Sequence, residues 1–200
     1  MQQGLLNMRK PLFVLITLLV FWSSCERNPE PFTGFSAFEL SQILIFDGTN
    51  AKDWRLTTRS ISGEESTDCT EALNFYFFPE LDIFPEGNNL FIQVIDESCS
   101  SDDFCELYPL FCRENTDYCE EYPERCIWLF ENFGPNFIYV GNWAPLANDP
   151  LAKGGVNGLK VYAAGDSIEY SISTIKQNSL VWTFTDQSSA EEVTERFTHQ

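Results

Sequence analysis

Nine short segments with strand-like patterning, separated by turn formers, constrain this 200-residue chain more than any other feature. In the first of them Trp54, Leu56, Thr58 and Ser60 alternate with Arg55, Thr57 and Arg59. That period of two places the first set toward a core and the second toward water. Similar runs follow at Leu73 to Phe78, Leu90 to Ile95, Ile127 to Phe133, Phe137 to Trp143, Leu159 to Ala163, Ser167 to Ile175, Leu180 to Thr185 and Val193 to Thr198. Glu86-Gly87-Asn88-Asn89, Ala164-Gly165-Asp166, Gln177-Asn178 and Asp186-Gln187-Ser188-Ser189 supply turns between many of them. Short connections favour antiparallel neighbours, and no helices alternate with the strands. An all-β fold is therefore expected, an antiparallel barrel of about eight or nine strands, with a sandwich as the competing architecture. One short amphipathic helix precedes it. Ser36 and Glu39 form a capping-box signature before Phe38, Leu40, Ile43, Leu44 and Phe46, and Asp47-Gly48 ends the pattern.

The strand pattern is interrupted by residues 96–126, which hold five cysteines, ten acids and only two basic residues, Arg113 and Arg125. The interruption repeats internally. Asp103 to Cys112, DFCELYPLFC, and Asp117 to Cys126, DYCEEYPERC, match at Asp, Cys, Glu, Tyr, Pro and Cys. Zinc ligands favour cysteine pairs two to four residues apart, and no Asp-x-Asp-x-Asp-Gly calcium loop occurs, so no metal is expected. A polar excursion with little core of its own needs cross-links instead. Cys69 and Cys99 flank the second and third expected strands and are expected to pair. Cys105, Cys112, Cys119 and Cys126 admit three pairings, of which Cys105 with Cys112 and Cys119 with Cys126 follows the repeat most simply. Two cross-linked lobes on the outside of the barrel are expected, because burying so many carboxylates is costly.

At the amino end, Arg9 and Lys10 precede an apolar run from Pro11 to Trp22, then Ser23, Ser24 and Cys25. The run is shorter than the roughly 20 residues that cross a bilayer and has the form of a signal peptide over residues 1–24. Small residues before a cysteine resemble the lipobox of bacterial lipoproteins. That resemblance implies acylation of Cys25 and a lipid anchor, with residues 25–35 as a tether and residues 36–200 as the domain. Export to the cell envelope is expected, with the outer membrane as the site of attachment. Cleavage would leave all 30 acids and remove Arg9 and Lys10, for a net charge of about −20. Such a surface repels phosphate, which disfavours nucleic acid and anionic lipid heads as partners.

The helix followed by DGTNAKDWRLTTRSISGEESTDC, then NFYFF, GNW and SIEYSISTIKQNSLVWTFTD, resembles the lipocalin-like domains of small bacterial lipoproteins. The matching positions are Lys52, Trp54 and Leu56, then Cys69, then Gly141 and Trp143, then Leu180 and Trp182. The resemblance implies a lipocalin-like barrel, and its motifs are packing signatures that transfer architecture and not chemistry.

Catalytic patterns are sparse. The single histidine, His199, stands beside the terminus, where chain ends fray. Gly154-Gly155 with Gly158 lacks the Lys-Ser/Thr of a phosphate loop and reads as a flexible connection. With 30 acids, any two carboxylates can fall near each other, so glycosidase pairing carries no signal. Neither an enzyme nor a cofactor is expected. A non-catalytic binding lipoprotein is expected, holding an unidentified ligand or protein partner at the barrel mouth or on the insertion. Phe104, Tyr108, Phe111, Tyr118 and Tyr122 are the candidate contacts, with packing of the insertion onto the barrel as the competing role. The alternative is an envelope structural or accessory protein with no small-molecule ligand. An interior filled by Trp54, Phe75, Phe77 and Trp182 would favour that alternative, whereas an interior pocket of at least about 300 Å³ would favour a ligand.

Overall fold

The computed structural model describes residues 34–45, 52–85, 87–112, 118–146 and 155–199. Residues 1–24, Cys25, most of the tether and the Asp47-Gly48 stop lie outside the described residues. In chain order the elements are α1 (Ala37–Ile45), β1 (Asp53–Ile61), β2 (Glu64–Ser66), β3 (Leu73–Phe78) and β4 (Asn89–Val94). The insertion then contributes α2 (Ser101–Leu107), α3 (Tyr118–Glu121) and α4 (Pro123–Phe133). The strands resume with β5 (Phe137–Pro145), β6 (Gly158–Ala163), β7 (Asp166–Lys176), β8 (Ser179–Thr185) and β9 (Glu192–Thr198).

Eight of these strands form a closed antiparallel barrel of lipocalin-like architecture. From β3 to β9 each strand pairs with its successor, and β1 pairs with both β3 and β9 to close the ring. Closure removes the unpaired edges that an open sheet would expose. β2, which the alternation did not reveal, is a three-residue hairpin arm on the far end of β1. It is joined by Ser62-Gly63, both at positive φ, the conformation that tight two-residue hairpins require. Ala164-Gly165 makes the same kind of turn between β6 and β7.

Two segments depart from their expected conformation. Ile127 to Phe133 is the second half of α4 and not a strand. Its apolar run is too short for periodicity to decide. Pro123 pre-sets the first turn, and burial of Arg125 and Leu129, four residues apart, follows a helical period. In β1 a bulge between Leu56 and Thr58 resets the alternation. Arg59, expected on the wet face, is thereby turned inward and buried, while Thr58 and Ser60 are only half-buried.

One end of the barrel is stoppered by α1. Ser36 and Glu39 cap this helix reciprocally, with Ser36 N–H donating to Glu39 Oε2 at 2.9 Å and Glu39 N–H donating to Ser36 Oγ at 3.2 Å. Leu40 and Leu44 join the barrel core, while Phe38 is 71% exposed. Trp54 Nε1–H donates to the Leu44 carbonyl at 3.0 Å, fixing the helix to the start of β1. Lys52 is buried beside it, donating to the Gln177 carbonyl and lying 4.4 Å from the Trp54 ring. Phe35, at the end of the expected tether, bridges to Val156 in both directions. His199 is likewise anchored and not frayed, with Nδ1 2.7 Å from Asp53 Oδ1.

Gly141, in the GNW motif, follows from close strand approach. It sits beside the β4–β5 bulge at φ 147°, and a Cβ there would overlap the Tyr162 carbonyl oxygen on β6. Gly165 has a positive φ but open space around it. Gly141→Ala is expected to lower unfolding stability by about 3 kcal/mol or more. Gly165→Ala is expected to cost only about 1 kcal/mol. Urea denaturation followed by circular dichroism would measure both, and equal losses would contradict the close-approach account.

Candidate functional site

The fourteen-residue repeat is structural as well as sequential. In both units a tyrosine preceding proline adopts the same backbone conformation: Tyr108 at φ −132°, ψ 63° and Tyr122 at φ −129°, ψ 63°. Proline bars the α conformation to the residue before it, so each helix stops at its tyrosine. Each unit is closed by its own disulfide, Cys105 with Cys112 and Cys119 with Cys126, and Cys69 joins Cys99.

The two units go to different places. The second lies outside the barrel, where α4 covers the outward faces of β3, β4 and β5. Tyr76, Phe78, Phe84, Phe91 and Leu129 form a separate apolar cluster there, with Tyr118, Trp128 and Phe133 packed against it. Tyr118 stacks on Tyr139 with ring centroids 4.3 Å apart, and Tyr122 lies 4.1 Å from the buried Arg125 guanidinium. Tyr118 and Tyr122 are half-buried. The outer side of α4 leaves Ile127 and Phe130 58% and 62% exposed among Glu120, Glu124 and Glu131.

The first unit stoppers the second end of the barrel, and the expectation that it lies on the outside is corrected. Ser100 caps α2 through a reciprocal pair with Asp103, whose carboxyl the Ser100 hydroxyl and N–H hold below its usual range. Phe104 and Tyr108, four residues apart on one helical face, then point inward. Phe104, Tyr108 and Phe111 are buried within the barrel's own core cluster, which removes them as surface contacts. The acids around them, Asp102, Asp103 and Glu106, are exposed. Aromatic side chains go in and carboxylates stay out, so the segment's acidity does not prevent its packing.

Tyr108 reaches a polar network that the alternation concealed. Its hydroxyl donates to Glu195 Oε1 at 2.6 Å, and Arg59 Nη1 donates to the same oxygen. Trp182 Nε1–H donates to Glu195 Oε2 at 2.6 Å. Arg59 Nη2 also donates to the Leu107 carbonyl at 3.2 Å, tying the end of α2 to β1. Around this network Phe75, Phe77 and Trp182 pack ring against ring, and Trp54 fills the same core toward α1. Burial, followed by the Glu195 charge, pushes the Tyr108 and Tyr170 hydroxyls well above their ordinary pKa. Glu195 had a signal in the sequence, since it stands between inward-facing Val193 and Phe197. Arg59 had none, because only the bulge brings it inside.

Three connected depressions surround the end that the first unit stoppers. An apolar slot of about 210 Å³ lies between the first unit, a strap over residues 100–112, and the β6–β7 and β8–β9 turns, lined by Leu107, Leu110, Phe111, Ile168 and Phe184. It shares Leu107, Asp186 and Ser188 with a groove of about 470 Å³. The groove in turn shares Ile61, Asp68 and Glu191 with a wider cleft of about 710 Å³ along β2. Among the described residues no group of three or more His, Cys, Asp and Glu side chains is arranged to hold a metal ion. In comparisons with known proteins, no family model, curated protein or solved structure matches the chain.

Glu195→Ala leaves the Arg59 charge buried without its partner and is expected to cost about 3–5 kcal/mol. Tyr108→Phe, which removes one charge-assisted bond, is expected to cost about 1.5–3 kcal/mol in the same denaturation experiment. Alkaline pH should destabilise the protein. Above about pH 10 the unfolded chain releases tyrosine protons that the folded chain retains, so stability falls by about 1.4 kcal/mol per pH unit for each such tyrosine. The loss begins near the unfolded pKa and continues toward the raised folded one. Denaturation midpoints at pH 9 and pH 11 should therefore differ, and Tyr108→Phe should flatten the difference.

Proposed function

We propose that this chain is a lipid-anchored cell-envelope protein of the lipocalin-like type that recognises a partner at its surface. It is neither an enzyme nor a carrier of a ligand inside its barrel. The observation that carries this reading is Tyr108 seated on Glu195 inside a barrel otherwise filled by Trp54, Phe75, Phe77 and Trp182. Small-molecule sites of about 300–1,000 Å³ need open volume that these rings occupy. Support for the anchor comes from the run between Arg9 and Cys25, and three disulfides fit an oxidising compartment. Acyl chains on Cys25 would exceed the marginal binding of a single chain. The filled barrel also favours a second reading, an accessory envelope protein with no small-molecule ligand, which differs from the first only in lacking a specific partner.

Two measurements test the proposal. Titrating oleate into the purified full chain should give no saturable change in tryptophan emission, and a stoichiometric change would restore the carrier reading. Expressed in a lipoprotein-making bacterium, the full chain should sediment with membranes and a Cys25→Ser form should be released. Equal release of both would overturn the anchor.

A further inference from the structure

The slot, groove and cleft at the end closed by the first unit form one track with an unusual charge balance. The groove is lined by Asp68, Asp103, Glu106, Asp186 and Glu191. None of these five pairs with a basic side chain among the described residues. Asp68, Asp103 and Asp186 are held in place by nearby serines, Ser66, Ser100 and Ser188, so their carboxylates are positioned before anything binds. The cleft adds Glu64 and Glu65. Neutralising such a row from outside requires cations.

Two features separate this track from a merely solvated acidic face. One is the apolar slot that opens beside Asp186, too small for a lipid tail and of the size of a single large side chain. The other is Arg59, which lines the groove from within the buried network while its Nε–H, itself buried, has no hydrogen-bond partner. A buried donor left unpaired is costly, and because Nε is closed to solvent a shift of the Arg59 side chain must bring it to the groove before a carbonyl oxygen can accept from it.

We propose that this track binds an extended basic peptide segment of a partner protein, and the inference rests on the surface-recognition reading above. One large apolar side chain enters the slot between Phe111 and Ile168. Flanking lysines or arginines lie along the groove carboxylates, Asp68, Asp103, Glu106, Asp186 and Glu191. The recognition therefore combines an anchor in a pocket with charge complementarity along a rim, and the rim charges steer encounter.

The test uses the purified full chain in detergent and a synthetic capped hexapeptide, lysine-lysine-phenylalanine-leucine-lysine-lysine, titrated by calorimetry. Saturable binding is expected, with affinity falling at least about tenfold when the lysines become glutamine or the two central residues become serine. Glu106→Lys combined with Glu191→Lys, both exposed and no threat to the fold, should cause a similar loss. Glu120→Lys combined with Glu124→Lys, beside α4, should change affinity by less than about twofold. Absence of binding, or equal losses from both pairs of reversals, would overturn the proposal. Loss from the α4 pair alone would also overturn it while leaving surface recognition standing, on a different face. Because the peptide assay uses purified protein, its failure is independent of membrane attachment at Cys25.

Discussion

A single carboxylate, Glu195, sits without solvent exposure in the barrel and accepts hydrogen bonds from three elements distant in sequence. Arg59 comes from β1, Trp182 from β8 and Tyr108 from the insertion. Taking such a charge out of water costs several kcal/mol, and the Arg59 pair offsets that cost only with the remaining lone pairs satisfied. The insertion supplies the missing donor. The barrel and its strap are therefore not separable parts. Without Tyr108, a buried ion pair would face an open mouth, and without Glu195 the strap would have no polar seat in the interior.

Closure of the ring makes this seat rigid. β1 and β9 pair alongside each other, and Arg59 stands opposite Glu195 in that register. The bulge near Thr57 is what allows it, because one extra residue moves Arg59 from the wet face to the core face. At the opposite end the same strand holds α1 through the Trp54 indole. One strand thus anchors both stoppers, and the rings between them are packed edge-to-face, as Phe77 is on Trp143 and Trp182.

Much of the barrel was legible because half-buried strands announce themselves by alternation. β3 to β9 lie within a residue or two of their expected positions, and the capping box at Ser36 and Glu39 is formed. Ile127 to Phe133 was misread because a short apolar run lacks the length to separate helix from strand. Its determinants were Pro123 and Gly134, at the two ends of the helix. The candidate site was legible only in part. Tyr108 was singled out for its chemistry, but its destination depends on Arg59 and Glu195, and one of those was disguised by a bulge. Local patterning carries no information about which of two similar units will be drawn into a core and which will lie on its surface.

All six disulfide cysteines fall between residues 69 and 126. Every cross-link therefore lies within the first two-thirds of the chain, ahead of its last five strands. Tyr108 must wait, since its acceptor stands 87 residues further on. Pairing β9 with β1 is the step that delivers Glu195 to both Arg59 and Tyr108. Ring closure and sealing of the mouth thus depend on one and the same strand pairing. Without it the strap is a covalently finished piece with an unfilled socket, and a chain cut short before β9 would carry correct cross-links around an open, exposed core.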